Sequence, residues 1–218
     1  RFAEKNSISI SGIDLTAILD CVKPDLVSIT SPDDAHFSCL KEIYEGEGHL
    51  PKVIFLEKPA CSDKYELQSL INWSDKTSVP IVVNHTRRFD SEYLQLKSRY
   101  EQDYFGELLG VEATYYGGWL HSGIHLVDSL RFLFGKEFNE TEYVETIAEE
   151  NLNDPTITIK TTLGETRIPV WFKGWSENHY QIFDIELRFS NGRLRIENFE
   201  QRYQWDKCVV NSLDEIVL

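Results

Sequence analysis

The chain has 218 residues, with 22 Lys+Arg against 36 Asp+Glu and a net charge of −14 at neutral pH. An apolar fraction of 41% supplies a sizeable core and excludes a disordered chain. The acidic balance excludes a surface built for nucleic acid or an anionic membrane, whose phosphates it would repel. No run approaches the roughly 18 apolar residues of a membrane span, and no signal peptide opens the sequence. Cys21, Cys39, Cys61 and Cys208 lack a CxxC spacing and read as free thiols of a reducing, cytoplasmic setting. There is no Met and residue 1 is Arg, which reads as part of a longer translation product.

The first third alternates strand and helix patterns. Leu26–Thr30 is an apolar run that stops at Ser31-Pro32-Asp33, a strand end able to open a helix. Ala35, Phe37, Leu40, Ile43 and Tyr44 follow at helical spacing. Lys52–Leu56 predicts a second strand, residues 63–74 a second helix, and Pro80–Asn84 a third strand. Strand, helix, strand, helix, strand with short joins predicts parallel βαβ units.

The pattern changes between residues 87 and 105. Leu108–Tyr116 reads as a strand and residues 122–134 as a helix stopped by Gly135. Strand patterns follow near 142–148, 156–163, 166–172 and 179–190. Asn191-Gly192 turns the last of these into Arg193–Asn198, and a final strand is expected near 202–210. The fold class is therefore α/β plus α+β: parallel βαβ units over residues 1–89, then a large, mostly antiparallel open sheet over 90–218. Residues 180–187 alternate Tyr180, Ile182, Asp184, Glu186 against Gln181, Phe183, Ile185, Leu187. One face must cover helices. The other, with Trp171, Trp175 and Trp205 nearby, predicts a homodimer or homotetramer.

Four segments could carry chemistry. Ligands bind beyond the carboxyl ends of strands in an open parallel sheet, so Ser31, Pro32 and the helix start through His36 could face a cofactor; a plain helix cap explains the same residues. Glu57-Lys58-Pro59 places a lysine at the next strand end, where partial desolvation would ready it for proton donation; an exposed ion pair before a turn is the alternative. Asn84-His85-Thr86-Arg87-Arg88-Phe89-Asp90 follows the third strand, and its arginines could hold a carboxylate or phosphate. In His121-Ser122-Gly123-Ile124-His125-Leu126-Val127-Asp128, helical spacing places His121, His125 and Asp128 on one stripe. That stripe suits acid–base work on a hydroxyl or a two-histidine, one-carboxylate metal site.

In this order and spacing, over residues 25–135, these segments resemble the Gfo/Idh/MocA family of NAD(P)-dependent oxidoreductases. The matching residues are Ser31-Pro32-x-x-x-His36, Glu57-Lys58-Pro59, Asn84 through Asp90, and Gly123-x-His125-x-x-Asp128 leading into Leu130–Gly135. The resemblance implies a Rossmann domain followed by a substrate and dimerisation domain. It implies hydride transfer between NAD or NADP and a hydroxyl or carbonyl carbon of a sugar-like substrate. It carries the family's lysine onto Lys58 and its helix histidine onto His125, with His121 assisting where a subset of the family has Asp. Ser31, Pro32, His36, Glu57, Lys58, Pro59, Asn84 and Arg88 would serve the cofactor site, with no metal. The family's opening GxGxxG turn has no counterpart in these residues, so the chain reads as the middle of a longer enzyme. Two other readings stand beside this one: a dimeric, non-catalytic relative, and a metal-dependent enzyme using His121, His125 and Asp128.

Overall fold

The computed structural model describes residues 5–148 and 152–218. They fall into two units, Arg1–His85 and Thr86–Leu218. The division lies four residues before the expected one for a local reason. Thr86–Phe89 is a 3₁₀ turn whose Arg87 and Arg88 bond to Glu200 and Asp128, both in the second unit.

In the first unit, α1 (Leu15–Val22) precedes β1 (Leu26–Ile29), α2 (His36–Glu45), β2 (Val53–Glu57), α3 (Lys64–Thr77) and β3 (Ile81–Asn84). The three strands are parallel, in the order β1-β2-β3. Their core consists of Leu19, Ile29, Leu40, Ile43, Ile54, Leu56, Leu70 and Val79, the apolar positions of the βαβ pattern. Carboxylates cap α1 and α3: Asp14 accepts from the Ala17 amide at 2.9 Å, and Asp63 from Glu66 N at 2.8 Å. Glu66 in turn accepts from Ser62 N at 2.7 Å, close to a capping box.

The second unit holds α4 (Ser91–Glu101), β4 (Leu108–Tyr116), α5 (Ile124–Phe134), β5 (Glu142–Ala148), β6 (Thr156–Leu163), β7 (Ile168–Trp175), β8 (Asp184–Phe189), β9 (Gly192–Glu197) and β10 (Arg202–Lys207). A two-stranded ribbon of β11 (Val209–Val210) and β12 (Ile216–Val217) follows. The large sheet has the order β10-β9-β8-β4-β7-β6-β5; only the β4–β7 pair is parallel. Val111, Ala113, Tyr115, Val170, Phe172, Ile185, Leu187, Leu194 and Ile196 form the covered face, packed with Leu96 of α4 and Leu126, Leu130 and Leu133 of α5. Among the described residues, no helix is long and apolar enough to cross a membrane.

The period of two puts a different set on the opposite face. There Glu112 bonds Lys173 and Arg188, Arg188 bonds Glu186, and Asp206 bridges Arg193 and Arg195. Its hydrogen bond from Lys173, with help from Arg188, holds the Glu112 carboxyl below the usual carboxylate range. Trp171, Trp175, Tyr180 and Ile182 line a recess beside this ionic band. Trp205, expected near the open face, instead packs against the core beside Phe105 and Phe189. Residues 179–183, expected as strand, precede β8 because Ser176–His179 closes a turn, with His179 N donating to Ser176 O at 3.2 Å.

Burial raises five phenols, Tyr100 modestly and four others strongly. Desolvation pushes Tyr44, whose hydroxyl donates to Val79 O at 2.9 Å, up to about 12. Burial raises Tyr93, Tyr115 and Tyr203 further. In the unfolded chain a phenol ionises near ~10. Below that pH both states are neutral and stability is unaffected. Above it the unfolded state loses its protons first, so stability falls by up to about 1.4 kcal/mol per pH unit per phenol. Spectrophotometric titration should show the four strongly raised phenols ionising only together with unfolding. Ordinary ionisation of all ten tyrosines with the fold intact would refute the assignment.

Candidate active site

The sheet of the first unit gathers its strand ends. Parallel register sets Ile29 beside Leu56 and Glu57 beside Asn84. The segments that leave this edge are Thr30-Ser31-Pro32 and Lys58-Pro59, with a cis peptide between Lys58 and Pro59. Asn84 Nδ2 donates to Glu57 Oε1 at 2.6 Å, so the carboxylate is held along the edge. Lys58, the next residue, is half-buried. Ser31 Oγ is buried and has no hydrogen-bond partner among the described residues. A buried hydroxyl without a partner is costly, which makes it a ready donor or acceptor for a bound group.

His36 has a different job from its neighbours. It is 1% exposed. Its Nδ1 lies 2.8 Å from Pro59 O and its Nε2 3.0 Å from Ser31 O. Each ring nitrogen therefore faces a main-chain carbonyl, one in each strand-end segment, and the ring N–H donates to one of them. Expected to line a cofactor, His36 instead ties together the two segments that would do so.

In the second unit, β4 runs into Gly117 and Gly118, then a π turn over Trp119–Gly123, then α5. Trp119 anchors the turn, its ring packing edge-on against Tyr115 at 5.6 Å and Phe172 at 5.4 Å. His121 lies in the π turn and is exposed, while His125 lies in the first turn of α5 and is half-buried. The π turn breaks the expected 3.6-residue stripe. Asp128 is buried and held by Arg88, with Nη2–Oδ1 at 2.6 Å and Nε–Oδ2 at 2.9 Å. That pairing raises the Arg88 pKa and gives its guanidinium a fixed partner within this unit, where the sequence placed it at a cofactor. Among the described residues, no group of three or more His, Cys, Asp or Glu is placed to hold a metal ion, and Asp128 is paired with Arg88.

Arg87 bonds to Glu200, lies over the Phe183 ring at 4.6 Å, and shares the carboxylate with Tyr93 Oη at 2.7 Å. Sequence reasoning missed Glu200 and also Asp154, which accepts from Leu120 N at 2.6 Å and His121 N at 2.9 Å. Both partners lie dozens of residues away, beyond the reach of local patterns.

No family model matches the chain. It is 27% identical over 172 residues to inositol 2-dehydrogenase 2 of Mycolicibacterium vanbaalenii, covering 72% of this chain and 49% of that protein. It superposes on scyllo-inositol dehydrogenase of Lactobacillus casei, solved with NAD(H) and scyllo-inositol, with a TM-score of 0.71 at 17% identity, covering 99% of this chain and 69% of that one. The WlbA dehydrogenase of Chromobacterium violaceum, solved with NADH and UDP-GlcNAcA, gives a TM-score of 0.76 at 18% identity, covering 98% of this chain and 68% of that one. The chain has the Gfo/Idh/MocA fold. It spans about half the length of the curated relative it matches. The parallel sheet of its first unit and the large sheet of its second are the two parts that the sequence resemblance implied.

Proposed function

We propose that this chain forms part of an NAD(P)-dependent oxidoreductase that transfers a hydride to or from a hydroxyl-bearing carbon of a sugar or cyclitol. The observation that carries this reading is the strand edge, where paired Glu57 and Asn84, then Lys58, stand with the buried hydroxyl of Ser31. These residues fit the ribose and nicotinamide end of such a cofactor: an ammonium for ribose or substrate oxygens, and an unsatisfied hydroxyl for an amide or ribose partner. When bound, the nicotinamide supplies or accepts the hydride. Lys58 holds the reacting oxygen and favours its negative charge. In the second unit, His125 is the proton carrier for the reaction, and His121 assists. Pro32 and Pro59 fix the backbone of the two segments, and His36 keeps them in place. Arg88 serves the site by pairing with Asp128, three residues along the His125 helix. The fold shared with enzymes solved with NAD(H), scyllo-inositol and UDP-GlcNAcA supports the cofactor and the polyol substrate class.

The partner is a second copy of this chain, docked on the open face of the large sheet, where Trp171, Trp175, Tyr180 and Ile182 cluster.

Calorimetric titration of the full-length protein with NADH and NADPH tests the reading, paired with turnover assays over inositols and nucleotide-linked sugars. Saturable binding of one cofactor and its reduction or oxidation by one substrate class are expected. A folded protein that binds neither nicotinamide would leave the non-catalytic relative as the better account.

A further inference from the structure

The start of the histidine-bearing turn is held from outside its own helix. Its first amides need partners, because no earlier turn supplies carbonyls for them. Trp119 N donates to Pro155 O at 3.1 Å. Leu120 N and His121 N donate to the two oxygens of the Asp154 carboxylate, at 2.6 and 2.9 Å. One residue further on, Thr156 Oγ1 donates to Gly117 O at 2.6 Å. Three consecutive residues before and at the start of β6 thus grip the whole join between β4 and the turn. Gly118 makes room for the grip: a Cβ there would lie 2.0 Å from Asp154 Oδ2 and 2.8 Å from Asp154 O. Ser122 N and Gly123 N then turn inward to Gly118 O, at 2.9 and 3.4 Å, which closes the wide turn.

We propose that Asp154 is a positioning residue for this turn: its carboxylate, by binding the amides of Leu120 and His121, sets where His121 and His125 stand. A carboxylate accepting two backbone N–H groups makes charge-assisted bonds, roughly twice as strong as neutral ones. It also places negative charge at a helix start, where the backbone dipole favours it. A turn fixed at its first residues fixes the direction of the side chains that follow. Small displacements of a catalytic group are costly in rate. The consequence for turnover rests on the reading of His125 as proton carrier; the grip itself does not.

The test uses the full-length protein, with Asp154→Ala, Asp154→Asn and Gly118→Ala. Amide hydrogen exchange at Leu120 and His121 is read by NMR, alongside the ring resonances of His121 and His125 and steady-state kinetics. In Asp154→Ala, exchange at both amides should accelerate about tenfold or more, the scale of one lost charge-assisted bond, and both ring resonances should move. In kinetics, kcat should fall while the KM for cofactor stays within about twofold, the mark of a displaced proton carrier. Asp154→Asn keeps one acceptor oxygen and turns an N–H toward the other amide, so it should protect one of the two amides and recover only part of each loss. Gly118→Ala, which displaces the carboxylate sterically, should reproduce the alanine variant. Unchanged exchange and unchanged ring resonances in Asp154→Ala would overturn the proposal, as would equal changes in kcat and cofactor KM in that variant. If the wild-type protein turns over no sugar or cyclitol, the dehydrogenase reading fails, while exchange and ring resonances still decide the grip.

Discussion

Replacing His125 with alanine in the full-length enzyme should lower kcat by roughly 10²–10⁴-fold, the contribution of a placed general acid–base group. Hydride transfer at carbon requires a matched proton transfer at its oxygen. An imidazole, ordinarily titrating near ~6.5, serves both directions around neutral pH. His125 is half-buried in the first turn of a helix whose remaining residues lock into the core through Leu126, Leu130 and Leu133. Its backbone is therefore rigid. His121, exposed in the preceding π turn, is solvated and should matter less when changed to alanine. Lys58→Ala should lose a similar 10²–10⁴-fold in kcat and, unlike His125→Ala, should also weaken cofactor binding, because Lys58 leaves the strand edge at which we propose the cofactor binds. Rapid-mixing kinetics with cofactor titrations separate these outcomes. Loss of turnover in His121→Ala with retention in His125→Ala would move the proton carrier to the other histidine. Full activity in all three would mean that the fold has been kept with a mechanism that does not use these residues.

The parts of this molecule that were legible in its sequence are those whose causes are local. The runs at residues 26–30, 52–56 and 80–84 announce parallel strands because such strands are apolar along their length. Asn191-Gly192 announces its hairpin because few other pairs accept that turn. Gly135 announces the end of α5 by its left-handed conformation, with φ 61. The helix α4 went unread because its buried stripe is short, Tyr93 and Leu96, within a charged segment. The helix α1 buries only Leu19 and left as faint a trace. The π turn was hidden for a different reason: a widened turn obeys no 3.6-residue rule, so the stripe drawn through His121, His125 and Asp128 assumed a regularity that the backbone lacks. The partners of the site residues were the least legible of all. Arg88 reads as an anion binder until Asp128, forty residues on, is brought to it. Asp154 and Glu200 carry no local mark at all.

His36 shows how a residue can be visible in sequence while its work is not, and its removal should have the largest effect on stability. The ring is buried with a carbonyl at each nitrogen, Pro59 O at 2.8 Å and Ser31 O at 3.0 Å. Alanine in its place would leave the carbonyl served by the ring N–H short of a donor and open a cavity the size of an imidazole. Together these should cost about 3–4 kcal/mol, between the values for lost buried hydrogen bonds and for large-to-small core substitutions. Glutamine can reach one carbonyl with its amide N–H and should recover part of the loss. Denaturant unfolding of the full-length protein reads this directly as a shift in midpoint at unchanged slope. The same variants should bind nicotinamide cofactor more weakly, because Ser31 and Lys58 stand on the two segments that the ring joins, and those segments part when it is gone. Calorimetry on folded His36→Gln protein, at a temperature well below its transition, isolates that effect from unfolding. Reduced affinity there, with proton transfer by His125 unaffected, would identify the ring as the tie that sets the cofactor edge. Unaltered affinity with lowered stability would confine His36 to the core.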